Sequence, residues 1–246
     1  MPDRKTTIID NPTLFRKIVY AISKAISEDW PRDIRENHLE TNNRNRYGAG
    51  DHINENLRHH VVKDDVELIA FRRYAWDGRI IVDRGNKITY TIATVQNLKA
   101  IISKNRSRPH YLQSILYAEN SDCVCKERQM SLNDLVPGLV VSTFEPEALE
   151  MDFYKIMDGN VSAVDGYKHY IIVYKAENYS ITKIEVQLLD SDFQIVDRKD
   201  LIEYLKPDFA NMTENTYFDQ TEEEGSQEGG KAVKLKLRSG IKQQDN

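Results

Sequence analysis

Apolar residues recur at helical spacing early in the chain: Leu14, Ile18, Ile22 and Ile26 form a stripe that Phe15, Val19 and Ala25 widen. That period places them on one face of an amphipathic helix. Asn11-Pro12 offers an N-cap followed by a first-turn proline, so the helix is predicted from Pro12 to about Asp29. Pro31 disfavours helical geometry at Trp30 and should end it there. Apolar periodicity is then lost from Arg35 to Arg58, within a stretch (31–65) rich in Arg, Asn and His. A coil of roughly thirty residues is uncommon inside a domain, so this stretch is expected to hide short helices or to form a functional loop.

From Val66 the period shortens toward that of strands. Val66–Tyr74, Arg79–Asp83 and Lys87–Ile92 are separated by the turn dipeptides Asp77-Gly78 and Gly85-Asn86, which predicts an antiparallel meander. Thr94 can cap a helix running to about Ser103, and Pro109 can open the next, with Leu112, Ile115 and Leu116 inward. Ser131-Leu132-Asn133-Asp134 offers a further cap, and Pro137-Gly138 should break the chain. Tyr167–Lys175 and Ser180–Leu189 flank Glu177-Asn178 as a hairpin. Phe193–Val196 is read as a short third strand, and Asp197 as the cap of a final helix through Leu205. The fold class is therefore α+β, comprising a leading helix, a β-meander, two helices, and a C-terminal hairpin with a short helix. Residues 1–206 are read as one domain, with a possible subdomain boundary near 137. Residues 207–246 form a tail expected to be largely disordered, because TEEEGSQEGGK is acidic and Gly/Ser-rich. The basic segment KAVKLKLRSGIK follows it.

Charge divides unevenly. Residues 1–118 hold 20 Lys+Arg against 14 Asp+Glu, a net +6, while 119–246 hold 14 against 25, a net −11. The chain of 246 residues is long enough to build a core without staples. Its mean hydropathy of −0.61 and the lack of a long apolar run argue against membrane spans. The two cysteines, Cys123 and Cys125, form a single C-x-C, too close for an unstrained disulfide and short of a four-ligand zinc site. They are read as reduced thiols, in keeping with a cytoplasmic setting.

The runs GRIIVDRGNKITYTI and PHYLQSILYAEN, and YIIVYKAENYSITKIEVQLLDSDFQIVDRKDLIEYL at Tyr170–Leu205, resemble an uncharacterised bacterial family found mainly in Firmicutes. The likeness covers about half the chain. It implies a bacterial cytoplasmic protein, near phage or other mobile DNA, and carries no activity, catalytic residue or cofactor with it.

Three constellations carry chemistry. The first is a basic surface: Arg44, Arg46 and Arg58, then Lys104, Arg106 and Arg108 beside Tyr111. Cations next to an aromatic ring are what phosphate contact and base stacking require. The second is Arg32 with His38, which fits the loose R-x(4–6)-H pattern of HEPN-type ribonucleases. There His would be the general base and Arg would stabilise a pentavalent phosphate. The third is restriction-like, Asp165 before the hairpin and Glu185-x-Gln187 on its second strand, where two carboxylates could hold Mg²⁺. Gln stands where that motif wants Lys, and a polar strand face explains Glu185 equally well. The motifs H-E-x-x-H, G-x-S-x-G, G-x-G-x-x-G and the P-loop are absent. The expectation is a non-enzymatic binding protein that contacts nucleic acid or a protein partner through residues 31–110, with no cofactor and no metal. The competing readings are a small nuclease and a protein-only interaction module. Oligomeric state is left open.

Overall fold

The first helix, α1 (Pro12–Lys24), starts as its sequence dictates: Asn11 Oδ1 accepts the Leu14 N–H at 3.2 Å, and Pro12 occupies the first turn. A computed structural model describes residues 7–37, 48–73, 76–103, 107–123 and 144–205. The predicted stop before Pro31 is overturned. A π-helical turn (Ala25–Asp29) leads into α2 (Trp30–Glu36), and the Trp30 N–H donates to Ala25 O. That wider turn resets the hydrogen-bond ladder, so Pro31 falls in the first turn of a new α-helix, where no backbone donor is needed. The polar stretch beyond does hide a helix, α3 (Gly48–His60). Gly48 is required there by close approach, because a Cβ would run into the Trp30 ring.

Six strands follow in chain order across one sheet: β1 (Val66–Arg73), β2 (Trp76–Asp83), β3 (Ile88–Thr94), β4 (Lys168–Glu177), β5 (Ser180–Leu189) and β6 (Ile195–Asp200). All neighbours are antiparallel except β3 and β4, which run parallel with Thr89 opposite His169 and Thr91 opposite Ile171. The crossover between them carries α4 (Val95–Ser103), α5 (Tyr111–Asn120) and α6 (Pro146–Met157). Thr94 Oγ1 accepts the Asn97 N–H and caps α4 as expected. The hairpin β4–β5 therefore belongs to the same sheet as the meander.

The alternation of strand side chains sorts the core into two layers. Tyr90, Tyr170, Ile172, Ile184 and Val186 meet α1 and α3 on one face, while Ile80, Val82, Ile171 and Val173 meet α4, α5 and α6 on the other. The final helix predicted from Asp197 is absent. β6 extends to Asp200, and a single 3-10 turn (Ile202–Tyr204) follows. Asp197 instead accepts the Ile8 N–H through Oδ2 at 2.8 Å. Every described residue lies in the first of two contact units, Met1–Lys206. The boundary near 137, the cap at Ser131, Cys125 and the tail 207–246 lie outside the described residues. Among the described residues no helix is long and apolar enough to cross a membrane.

Candidate nucleic-acid interface

The turn of the first hairpin is not at Asp77-Gly78. Arg73 pairs with Trp76 and Phe71 with Gly78, so Gly78 sits inside β2. Its missing side chain makes room for the Phe71 ring, which lies where a Cβ would stand. The consequence is a small aromatic stack at the end of the hairpin. Trp76 lies on Tyr111 with centroids 5.4 Å apart and planes at 29°, and Phe71 meets Trp76 edge-on at 5.5 Å and 77°. His110 tilts against Tyr111 at 4.3 Å while its Nδ1 accepts the Leu112 N–H, capping α5. Tyr111 is 8% exposed and Trp76 is 43% exposed. Burial holds the Tyr111 hydroxyl well above its usual pKa, so it stays neutral.

Several arginines lie along this end of the hairpin. Arg73 donates to Asp152 Oδ2 at 3.0 Å and to the Pro109 carbonyl, which ties the hairpin to the loop before α5. Ser114 Oγ donates to the same Asp152 oxygen at 2.7 Å. Arg72 lies across the hairpin from Asp77, with Nε 3.8 Å from Oδ1, and Arg79 folds its guanidinium back onto Gly78 O at 2.9 Å. Arg108 is exposed one residue before Pro109.

Of the residues singled out from sequence, Tyr111 lies in this stack, turned inward with Trp76 in the outward position, and Arg108 is exposed on the segment that leads into α5. Arg58 is elsewhere: it is exposed on α3, which packs on the opposite face of the sheet. His38, Arg44, Arg46, Lys104 and Arg106 lie outside the described residues. Arg32 is engaged with Asp29, Nη2 to Oδ1 at 2.7 Å. Burial favours the neutral acid at Asp29, but donors from Asn56, Lys24 and Arg32 outweigh it and hold the carboxyl below its usual range. The restriction-like pair does not converge. Asp165 accepts the Ser162 N–H at 2.8 Å as a turn cap. Glu185 is paired with Val173 in mid-sheet, bound by Lys183 Nζ at 2.9 Å and by Gln187. Five residues of β4 separate Lys168 from Val173, ~16 Å of strand rise, too far for the two carboxylates to share one cation.

A polar cluster is sealed inside, where β3 meets β4. Thr89 Oγ1 bridges Glu119 of α5 and His169 Nδ1 (2.7 Å), and His169 Nε2 lies 2.9 Å from Thr91 Oγ1. His169 and Thr89 are fully buried and Glu119 is 3% exposed. Burial pushes Glu119 up to about 8 and His169 down to about 3, so at neutral pH the acid keeps its proton and the ring has none to spare. Next to them Asn120 donates to His169 O and Leu189 O and accepts the His169 N–H, at 2.7–2.8 Å. Cys123, a free thiol pushed up to about 11 by burial, closes this end.

The match that fixes the family covers both the meander and this seam: a family model described as a family of unknown function (DUF5986) matches residues 9–246. The chain belongs to the DUF5986 family. No curated protein and no solved structure matches it. Within this DUF5986 protein, no three His, Cys, Asp or Glu side chains among the described residues cluster to hold a metal ion. A concavity of this DUF5986 fold, about 210 Å³, lies between α5 and α6 and is lined by Tyr117, Glu150, Phe153 and Tyr154.

One feature of the interface is hidden in the sequence: Asp77-Gly78 reads as the hairpin turn, which leaves Trp76 outside the second strand. The available signal was the aromatic pattern Phe71, Trp76, Tyr111, with a glycine at the one position able to admit a ring.

Proposed function

We propose that this DUF5986 protein is a non-enzymatic, cytoplasmic binding protein that contacts nucleic acid at the end of the β1–β2 hairpin and the loop before α5. The observation that carries the reading is the half-exposed Trp76 ring, stacked on Tyr111 at the end of a hairpin that also carries the exposed Arg72. An aromatic face gives a base something to stack on, and arginines give phosphates their counter-charge. The setting near phage or other mobile DNA, implied by the family resemblance, travels with this proposal. A direct test is polarisation of a labelled oligonucleotide titrated with the full chain at two salt concentrations. Binding should weaken steeply with salt, and Arg72→Glu with Arg108→Glu should cost about tenfold or more. Affinity indifferent to both changes defeats the reading.

A protein partner is favoured by a different observation. On α6, Met151 is 58% and Tyr154 53% exposed, beside the concavity against α5. A partner retained through Tyr154 with no oligonucleotide affinity would select that reading.

A further inference from the structure

We infer that the nucleic acid taken at this site is single-stranded, with one unstacked base lying on the outer face of Trp76. This deepens the reading above and rests on it. The inner face of the indole is occupied by Tyr111 and its edge by Phe71, so the exposed 43% belongs chiefly to the side turned from the protein. The ring is fixed from two directions, and a base stacking on it immobilises no further side chain. A ring lying flat against its own protein cannot enter a base step as a wedge, which is how duplex binders use apolar side chains. A base already out of its stack does not meet that obstacle. Arginines leave the hairpin on both sides of the Trp76 position: Arg73 shares its face, while Arg72 and Arg79 leave the opposite one. Of these three, Arg72 is the exposed one and can meet a flanking phosphate, whereas Arg73 is held by Asp152 and the Pro109 carbonyl.

The chain reports on this directly. It has two tryptophans, and the other, Trp30, is 7% exposed beneath Gly48, away from the interface. Quenching of intrinsic tryptophan emission by added nucleic acid is thus a signal from Trp76. The experiment titrates the full chain with a thymidine dodecamer and with a duplex of the same length, following emission and the polarisation of a labelled strand. The expected result is saturable quenching by the single strand and weak binding of the duplex. Trp76→Ala should lose about tenfold to a hundredfold in single-strand affinity. Trp76→Phe, which keeps a ring in the stack, should retain most of it and controls for misfolding, with circular dichroism run on both variants. Single-strand binding without quenching, or a preference for the duplex, overturns the inference and leaves the proposed function standing. No binding of either removes both.

Discussion

Replacing Glu119 by Gln should make the protein more stable, and increasingly so as the medium becomes alkaline. Glu119 is 3% exposed, one of its oxygens meets Thr89, and the other has no partner among the described residues. Burial lifts its carboxyl from an ordinary 4.5 to about 8. Between those values the folded protein holds a proton that the unfolded chain releases, so stability falls as pH rises from 4.5 through 8 and levels off above. At pH 7 holding that proton costs about 3 kcal/mol, and by pH 9 about 5 kcal/mol. Glutamine has the same shape and carries no charge in either state. The gap between Glu119→Gln and wild type should therefore widen by about 2–3 kcal/mol from pH 6 to pH 9. His169 works in the other direction: its folded value of about 3 lies below its ordinary 6.5, so its contribution is lost as pH falls through that range. Above pH 7 it is silent. Urea denaturation followed by circular dichroism at pH 6, 7, 8 and 9 measures the gap. A variant whose stability runs parallel to wild type across this range would refute the assignment of a protonated, sealed carboxyl.

Other substitutions probe the scaffold. Asn120→Ala strips three backbone groups of buried partners and should cost about 3–5 kcal/mol, lowering Tm in a thermal melt by roughly 6–20 °C. Gly48→Ala drives a methyl into the Trp30 ring and should cost about 1–3 kcal/mol by urea denaturation. Tyr179 closes the β4–β5 turn at φ 60°, next to Asn178 at 49°. Tyr179→Gly should gain about 0.5–1 kcal/mol, read as a higher urea midpoint, because only glycine occupies that region without strain.

How much was legible in the sequence depended on how local the deciding interaction was. Asn11, Thr94 and the Gly85-Asn86 turn act over a few residues, and their roles could be read directly. Pro31 could not, because its tolerance depends on a π-turn whose extra residue leaves no mark in composition. Asp77-Gly78 carries a turn signature that cross-strand packing against Phe71 overrides. Asp197 could cap a helix, yet the sheet edge and the Ile8 N–H claim it first. Glu185 and Gln187 alternate as an exposed strand face would, and the fold buries both. The cluster of Thr89, Glu119, Asn120 and His169 was invisible for the same reason at longer range: it exists only once β3 and β4 lie side by side. At the aromatic stack, Tyr111 is legible beside its basic neighbours in sequence, whereas Trp76 is hidden by the turn signature of Asp77-Gly78.

The order of the strands also bears on how the chain finds its structure. Four of the five strand pairings join strands linked by short connections, so each three-stranded half can assemble through short-range closures. The single join between halves brings together Thr89 and His169, separated by 80 positions. Closing so long a loop is entropically the most demanding step, and it is rewarded only when that seam forms. The rate of folding should accordingly be governed at the β3–β4 boundary, which makes the polar brace of Asn120 and His169 a kinetic latch as well as a structural one.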